Sequence, residues 1–239
     1  MSRAAVVRHL LRRNGFRWLL YFAAAELTRR LARAWDRRLQ RFETRHRLPG
    51  FYDAETQKVV WDGYDWSERG EEWTASDRWK QSVVKAVLER LLDGGDILEI
   101  GPGAGRWSVE LQKIAHRLTL FDVAASSIEQ CRKRLAGSAN VRYFVNDGRR
   151  LPLQDDEIDG AWSFDVFVHV GEEETAAYLR ELRRVLKGGG RAMIHHPADG
   201  GLRGQWRSRM SSRRFVELAE EAGTSLRETG DVISVLQKP

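Results

Sequence analysis

The residues best placed to do chemistry fall at the ends of short apolar runs. Ile97-Leu-Glu99-Ile runs into glycines at 101, 103 and 105. Alternating glycines allow a tight turn and a close approach of backbone to ligand, and a helix starting at Arg106-Trp107-Ser108 would offer unpaired amide donors. A dinucleotide loop needs two residues between its second and third glycines, and this one has a single residue there. Asp122, 21 residues after Gly101 and followed by Val123, can accept hydrogen bonds from both hydroxyls of a ribose. Asp147-Gly148 ends the next apolar run and can accept from an adenine amino group. Ser163-Phe164-Asp165 and His169 follow a fourth run, and His195-His196 end a fifth. Three of the six histidines thus fall at two neighbouring run ends. Histidine has the intrinsic pKa of a general base, so His169 ranks first and His196 second, with Asp165 placed to orient His169 or to hold a divalent ion. No spacing here dictates a metal coordination sphere, so a metal is the minority expectation.

Runs and helical patterns alternate to position these groups. Strands are expected at 96–101, 117–123, 140–145, 158–164 and 191–196, with helices at 105–115, 126–136 and 173–187 between them. A final helix near 212–222 and strands near 225–228 and 232–237 follow. Such alternation specifies an α/β fold, Rossmann-like, with a mostly parallel sheet, helices on both faces and ligands beyond the carboxyl ends of the strands. A further helix capped by Ser76 or Asp77 is expected to run to Leu91, where Asp93-Gly94-Gly95 stops it.

Residues 1–50 form a separate basic arm. They hold 13 arginines, no lysine and three acidic residues, a net +10 that leaves −4 on residues 51–239 of the +6 total. Two helices are expected, broken at Asn14-Gly15, the second carrying Leu27, Leu31, Trp35, Leu39 and Phe42 on one stripe. The eight apolar residues from Trp18 to Ala25 are too few to span a bilayer, which takes roughly 20. Packing on the body or on a second subunit, attachment to anionic lipid, and nucleic-acid contact compete as readings of the arm. The acidic body argues against a nucleic-acid substrate. Leu48-Pro49-Gly50 marks the boundary. The Trp-rich segment 51–75 covers the end of the sheet or closes a pocket, and the Gly-rich stretch Asp199 to Arg209 lies beside the same rim. One cysteine, Cys131, excludes an internal disulfide, and the first apolar stretch leads into arginines rather than a signal-cleavage site. A cytoplasmic location, with peripheral contact at the inner membrane face through residues 1–47, is the expectation.

Residues 76–239 resemble the class I S-adenosylmethionine (SAM) dependent methyltransferases. Glu99-x-Gly101-x-Gly103-x-Gly105 looks like their motif I, Asp122 their ribose acid, Asp147-Gly148 their adenine site, Ser163-Phe164-Asp165 their motif IV and Arg184-Val-Leu-Lys-Gly-Gly-Gly190 the turn before strand five. The resemblance implies seven strands, the last antiparallel, and SAM as methyl donor, with Arg106 and Trp107 near its methionine carboxylate. Ser163-Phe164-Asp165-Val166 stands where amino-directed DNA methyltransferases carry a Pro-Pro motif. Tyr64-Asp-Trp-Ser-x-x-Gly-Glu-Glu-Trp73, Ser163 to His169 and Ile194-His-His196 are similar to bacterial sugar or glycan O-methyltransferases, of the methylmannose polysaccharide 1-O-methyltransferase type. The implied reaction is methylation of a saccharide hydroxyl with a histidine base. The alternatives are a lipid or other small natural product as acceptor, and a non-catalytic SAM-binding scaffold; a homo-oligomer fits either.

Overall fold

The computed structural model describes residues 52–85, 94–198, 208–229 and 232–239, with individual residues between Phe16 and His46. Its contacts divide the chain into two units, Met1–Gly50 and Phe51–Pro239. The described residues of the first unit are all helical. The expected break at Asn14-Gly15 lies outside the described residues, as do residues 86–93 and 199–207.

The second unit is built on seven strands. These are β1 Asp96–Ile100, β2 Arg117–Asp122, β3 Val141–Val145, β4 Ile158–Ser163, β5 Leu186–His195, β6 Ser225–Thr229 and β7 Ile233–Gln237. They form one sheet in the order β3-β2-β1-β4-β5-β7-β6. The pairs from β3 through β5 are parallel, whereas β7 runs antiparallel to both β5 and β6. The helices are α1 Ala54–Asp62, α2 Asp77–Val83, α3 Ser108–Ile114, α4 Ala125–Arg134, α5 Glu172–Val185 and α6 Ser212–Glu221. Ser76 caps α2 by accepting from the Trp79 amide at 3.1 Å.

Side-chain alternation along each strand feeds two cores, one per face. Leu98, Ile100, Phe121, Ala161 and Ile194 pack with Tyr178, Leu179 and Leu182 of α5 and Phe215 of α6. Ile97, Leu118, Leu120, Trp162 and Met193 pack with Leu111 of α3, Ile128 and Cys131 of α4, and Trp79 of α2. Helix α5 carries Glu172, Glu173 and Glu174 in its first turn and Arg183 and Arg184 in its last, which complements its dipole. The chain order reverses between β1 and β4. A ligand crevice is expected at that switch point, beyond the strand ends.

The helix expected at 105–115 begins only at Ser108, and the largest boundary difference is at β5. Strand β5 begins at Leu186 rather than 191, directly after α5. The pairing Ile158↔Leu186 shifts to Gly160↔Arg191, so Gly188, Gly189 and Gly190 bulge out between two paired stretches. Gly189 sits at φ +79°, which a glycine adopts without penalty.

Candidate active site

At the end of β1 the chain turns through Gly101, Gly103 and Gly105, all at positive φ (68°, 55° and 85°). A Cβ on Gly101 would lie 2.3 Å from Val166 Cγ2, and one on Gly103 would lie 2.9 Å from Trp66 Cη2. Side chains are excluded here by backbone conformation and by space. Asp122 ends β2 and ties the turn to it, its Oδ2 accepting from the Gly103 amide at 3.3 Å and its Oδ1 from the Ala124 amide at 2.9 Å. Burial pushes its carboxyl up to about 7, although these amide bonds favour the charged form.

Gly101, Gly103, Asp122, Val123, Ser127, Gly148, Phe164 and Asp165 line one cavity, roofed by Tyr52, Gln57, Trp61, Trp66 and Trp73, whereas the predicted Gly105 faces Arg134 and Cys131 of α4 instead. Arg106 lies in its wall, only 4% exposed. One arm of its guanidinium donates to Asp165 Oδ2 at 2.6 Å. The other nitrogen, Nη1, is buried with no hydrogen-bond partner among the described residues, and so is the Ser127 hydroxyl. A buried cation with an unspent donor is costly unless a ligand completes it, and a carboxylate is the natural complement to a guanidinium fork. The cavity therefore fits SAM: Arg106 can meet the methionine carboxylate over the glycine turn, and Asp122 the ribose hydroxyls. A Cβ on Gly148 would lie 2.5 Å from the Ala54 Cβ, so this glycine admits the close approach of α1.

Asp165 stands at φ +61°, an uncommon conformation for a residue with a side chain. Burial would raise its carboxyl, but hydrogen bonds from His195 and Arg106 outweigh it and hold it down at about 2. His195 Nδ1 lies 3.1 Å from both the Asp165 amide nitrogen and Oδ1. One tautomer accepts from the amide, and the other donates to the carboxylate. The imidazole stacks on Phe164 at 4.5 Å between centroids. His169 is half-buried and packs edge-on against Trp61 of the roof, 5.3 Å between ring centroids.

Several predicted residues sit elsewhere than expected. His196 is fully buried and stacked on Phe215, with Nε2 2.9 Å from the Ser234 hydroxyl and Nδ1 3.1 Å from the Pro197 carbonyl. It is a core histidine, and the reading of it as an alternative base gives way. Glu99 and Ser163 stand behind the cavity wall rather than in it. Glu99 accepts from the Ser108 hydroxyl at 2.5 Å, and burial pushes its carboxyl up to about 8. Ser163 donates to the Ile100 carbonyl at 3.0 Å. Asp147 accepts the Arg149 and Arg150 amides on Oδ1 and borders a recess that shares Val123, Ala54 and Glu174 with the main cavity. Among the described residues no group of three or more His, Cys, Asp or Glu is placed to hold a metal ion.

Residues that sequence reasoning missed include Tyr52, Gln57, Tyr178 and Glu174, all in the cavity lining. Glu174, buried and paired with Arg149 at 2.8 Å, is an acid inside the apolar face of α5, and that misfit was the available signal. The roof is also latched. Glu71 accepts from Lys80 at 2.7 Å and from Arg134 at 2.7 Å, and Arg134 donates to the Arg69 and Ala104 carbonyls as well.

Comparison with known proteins agrees with this architecture. Residues 97–190 match the family described as a methyltransferase domain. The O-methyltransferase resE of Aspergillus sclerotiorum is 33% identical over 150 residues, covering 57% of this chain and 54% of that protein. The methyltransferase GfsG of Streptomyces halstedii is 28% identical over 175 residues, covering 64% and 61%. A SAM-dependent methyltransferase from Aquifex aeolicus superposes with a TM-score of 0.56 at 21% identity, over 72% of this chain and 97% of that one. The second unit thus has a Rossmann-like fold shared with these neighbours, and residues 97–190 within it match a methyltransferase-domain family. The chain spans about half the length of the curated relatives it matches.

Proposed function

We propose that the protein transfers a methyl group from SAM to a hydroxyl of a saccharide or glycan, with His169 as general base. The observation that carries this reading is the roof of the cavity. Trp61, Tyr64, Trp66 and Trp73 pack within 6.2 Å of one another, centroid to centroid, above the glycine turn, and His169 lies against Trp61. Aromatic faces stack on the apolar faces of sugars, and the acidic groups of the same segment, Asp65 and Glu72, suit sugar hydroxyls. Tyr64 already donates to Glu72 at 2.9 Å.

Bound SAM supplies an electrophilic methyl group on a sulfonium with a good leaving thioether. What remains for the protein is alignment and a proton sink. The roof and the glycine turn hold two reactants in line, an arrangement that can contribute about 7 to 11 kcal/mol. An alcohol is a weak nucleophile while protonated, so His169 would take the hydroxyl proton as the oxygen forms its bond to the methyl carbon, contributing about 10² to 10⁴-fold. Asp165, fixed between Arg106 and His195, holds the charge balance behind the reacting atoms.

The test is incubation with methyl-labelled SAM and cell extracts fractionated into polysaccharide, lipid, nucleic-acid and small-molecule pools. Label in the polysaccharide pool supports the reading. Label in a lipid or small-molecule pool moves the acceptor class, and SAM binding without transfer to any pool favours a scaffold.

A further inference from the structure

The first unit carries a surface that the methyltransfer site does not use. Among its described residues Leu20, Leu27, Leu31, Trp35 and Phe42 are all helical and between 54% and 64% exposed. At 3.6 residues per turn they fall within an arc of roughly 80°, so they form one stripe. Large apolar side chains in a row are unusual on a water-facing surface and mark a contact site. The charge around them is mostly positive. Arg37, Arg38, Arg41 and Arg45 are exposed, and residues 1–50 as a whole carry 13 arginines against three acids. On the same period Arg41 and Arg37 lie off one edge of the stripe, and Arg38 and Arg45 fall within it. Arg38 folds its guanidinium over the Trp35 ring at 4.9 Å, which leaves its stem against apolar surface and its charge at the rim.

We propose that this arm seats on an anionic lipid bilayer, with the Leu20 to Phe42 stripe in the interface and the arginines on the headgroup phosphates. Charge complementarity selects this occupant. A second copy would bring another net +10 arm against the first, and like charges at that density oppose the pairing that the apolar stripes would favour. An anionic interface satisfies both features together, since it takes an apolar face a few ångströms deep and pairs guanidinium groups with phosphate. Among the described residues no helix is long and apolar enough to cross a membrane, so the contact is made in the plane of the surface.

The proposal is independent of the methyl acceptor, and its test needs neither SAM nor a substrate. The full chain is floated with vesicles of phosphatidylcholine containing phosphatidylglycerol, and with phosphatidylcholine alone. The expected result is flotation with the anionic vesicles only, weakened by high salt. A basic residue near such a surface is worth about 1 kcal/mol, so Arg37→Gln with Arg41→Gln lowers the partition coefficient roughly thirtyfold. Leu31→Glu with Trp35→Glu, which keeps every arginine at exposed positions, abolishes flotation while the circular dichroism of the chain is unchanged. The proposal is overturned if the wild-type chain stays with the pellet, or if the stripe variant floats like wild type. It is equally overturned if light scattering shows a dimer that Trp35→Glu dissociates, since the stripe would then be a subunit contact.

Discussion

Among the glycines of the site, Gly101 has the least room for a side chain. Its φ of +68° costs an alanine about 1 to 2 kcal/mol, and the added methyl would then meet Val166 at 2.3 Å. Gly101→Ala is therefore expected to fold less stably and to bind SAM at least tenfold more weakly, which equilibrium titration would show; affinity equal to wild type would contradict the cradle. Asp165 gives a prediction in pH. Its carboxyl lies at about 2 in the folded chain, below the ordinary value near 3.9, so the fold favours the charged form. The resulting stability is present above about pH 4 and is lost as pH falls toward 2. Asp165→Asn, which tolerates positive φ, should lower the urea midpoint clearly at pH 6 and about half as much at pH 3. An equal difference at both values would show that the Arg106 and His195 contacts contribute nothing. At His169, replacement by asparagine should lower kcat about 10² to 10⁴-fold while leaving SAM affinity within a factor of about two. Residue by residue, strand parity decided what was legible. Neighbours on a strand face opposite ways, so of His195 and His196 only one can turn toward Asp165, and the other enters the core against Phe215. Glu99 and Ser163 were hidden for a related reason: each spends its polar atoms on neighbouring chain, Ser108 and the Ile100 carbonyl, before any ligand arrives.

The roof is the element that closes the cavity over the glycine turn. It has little regular structure, a short 3-10 turn at Glu71–Trp73 between α1 and α2, and it is held by side chains rather than by a backbone ladder. Glu71 carries much of that attachment. Burial would raise its carboxyl, yet the hydrogen bonds from Lys80 and Arg134 lower it. Glu71→Gln keeps the shape and removes the charge that both cations need. Hydrogen exchange over residues 64–74 should then accelerate and SAM should dissociate faster, whereas unchanged exchange would place the attachment elsewhere. A helix period could not reveal this segment, because it has none; three tryptophans within residues 61–73 were the only signal. The strands were far easier to read, since β-branched and aromatic residues bounded by glycine and aspartate mark Asp96–Ile100, Arg117–Asp122 and Val141–Val145 directly. The start of β5 was not, because three consecutive glycines read as a turn and become a bulge only when β4 pairs on both sides of them.

Over the whole molecule, charge and chemistry are divided between the two units. The second unit holds the cavity; the first carries the net positive charge. Because SAM should bind the folded chain alone, SAM at a hundred times its Kd would add about 2.7 kcal/mol of stability. For a domain of this size that corresponds to a rise in Tm of roughly 5 to 11 °C, readable by thermal shift. The acceptor was the least legible property, since the glycine turn points to a donor and the roof, which the proposed acceptor would meet, follows no fixed motif. The donor site turns on one group, the unpaired Nη1 of Arg106 in the cavity wall. Calorimetric titration of SAM into the full chain and into Arg106→Lys reads it directly, because lysine keeps the charge beside Asp165 and loses the guanidinium fork. One SAM per chain, bound at least tenfold more weakly by the variant at equal thermal stability, is the result predicted; no binding to the wild-type chain, or equal affinity in the two, would contradict it.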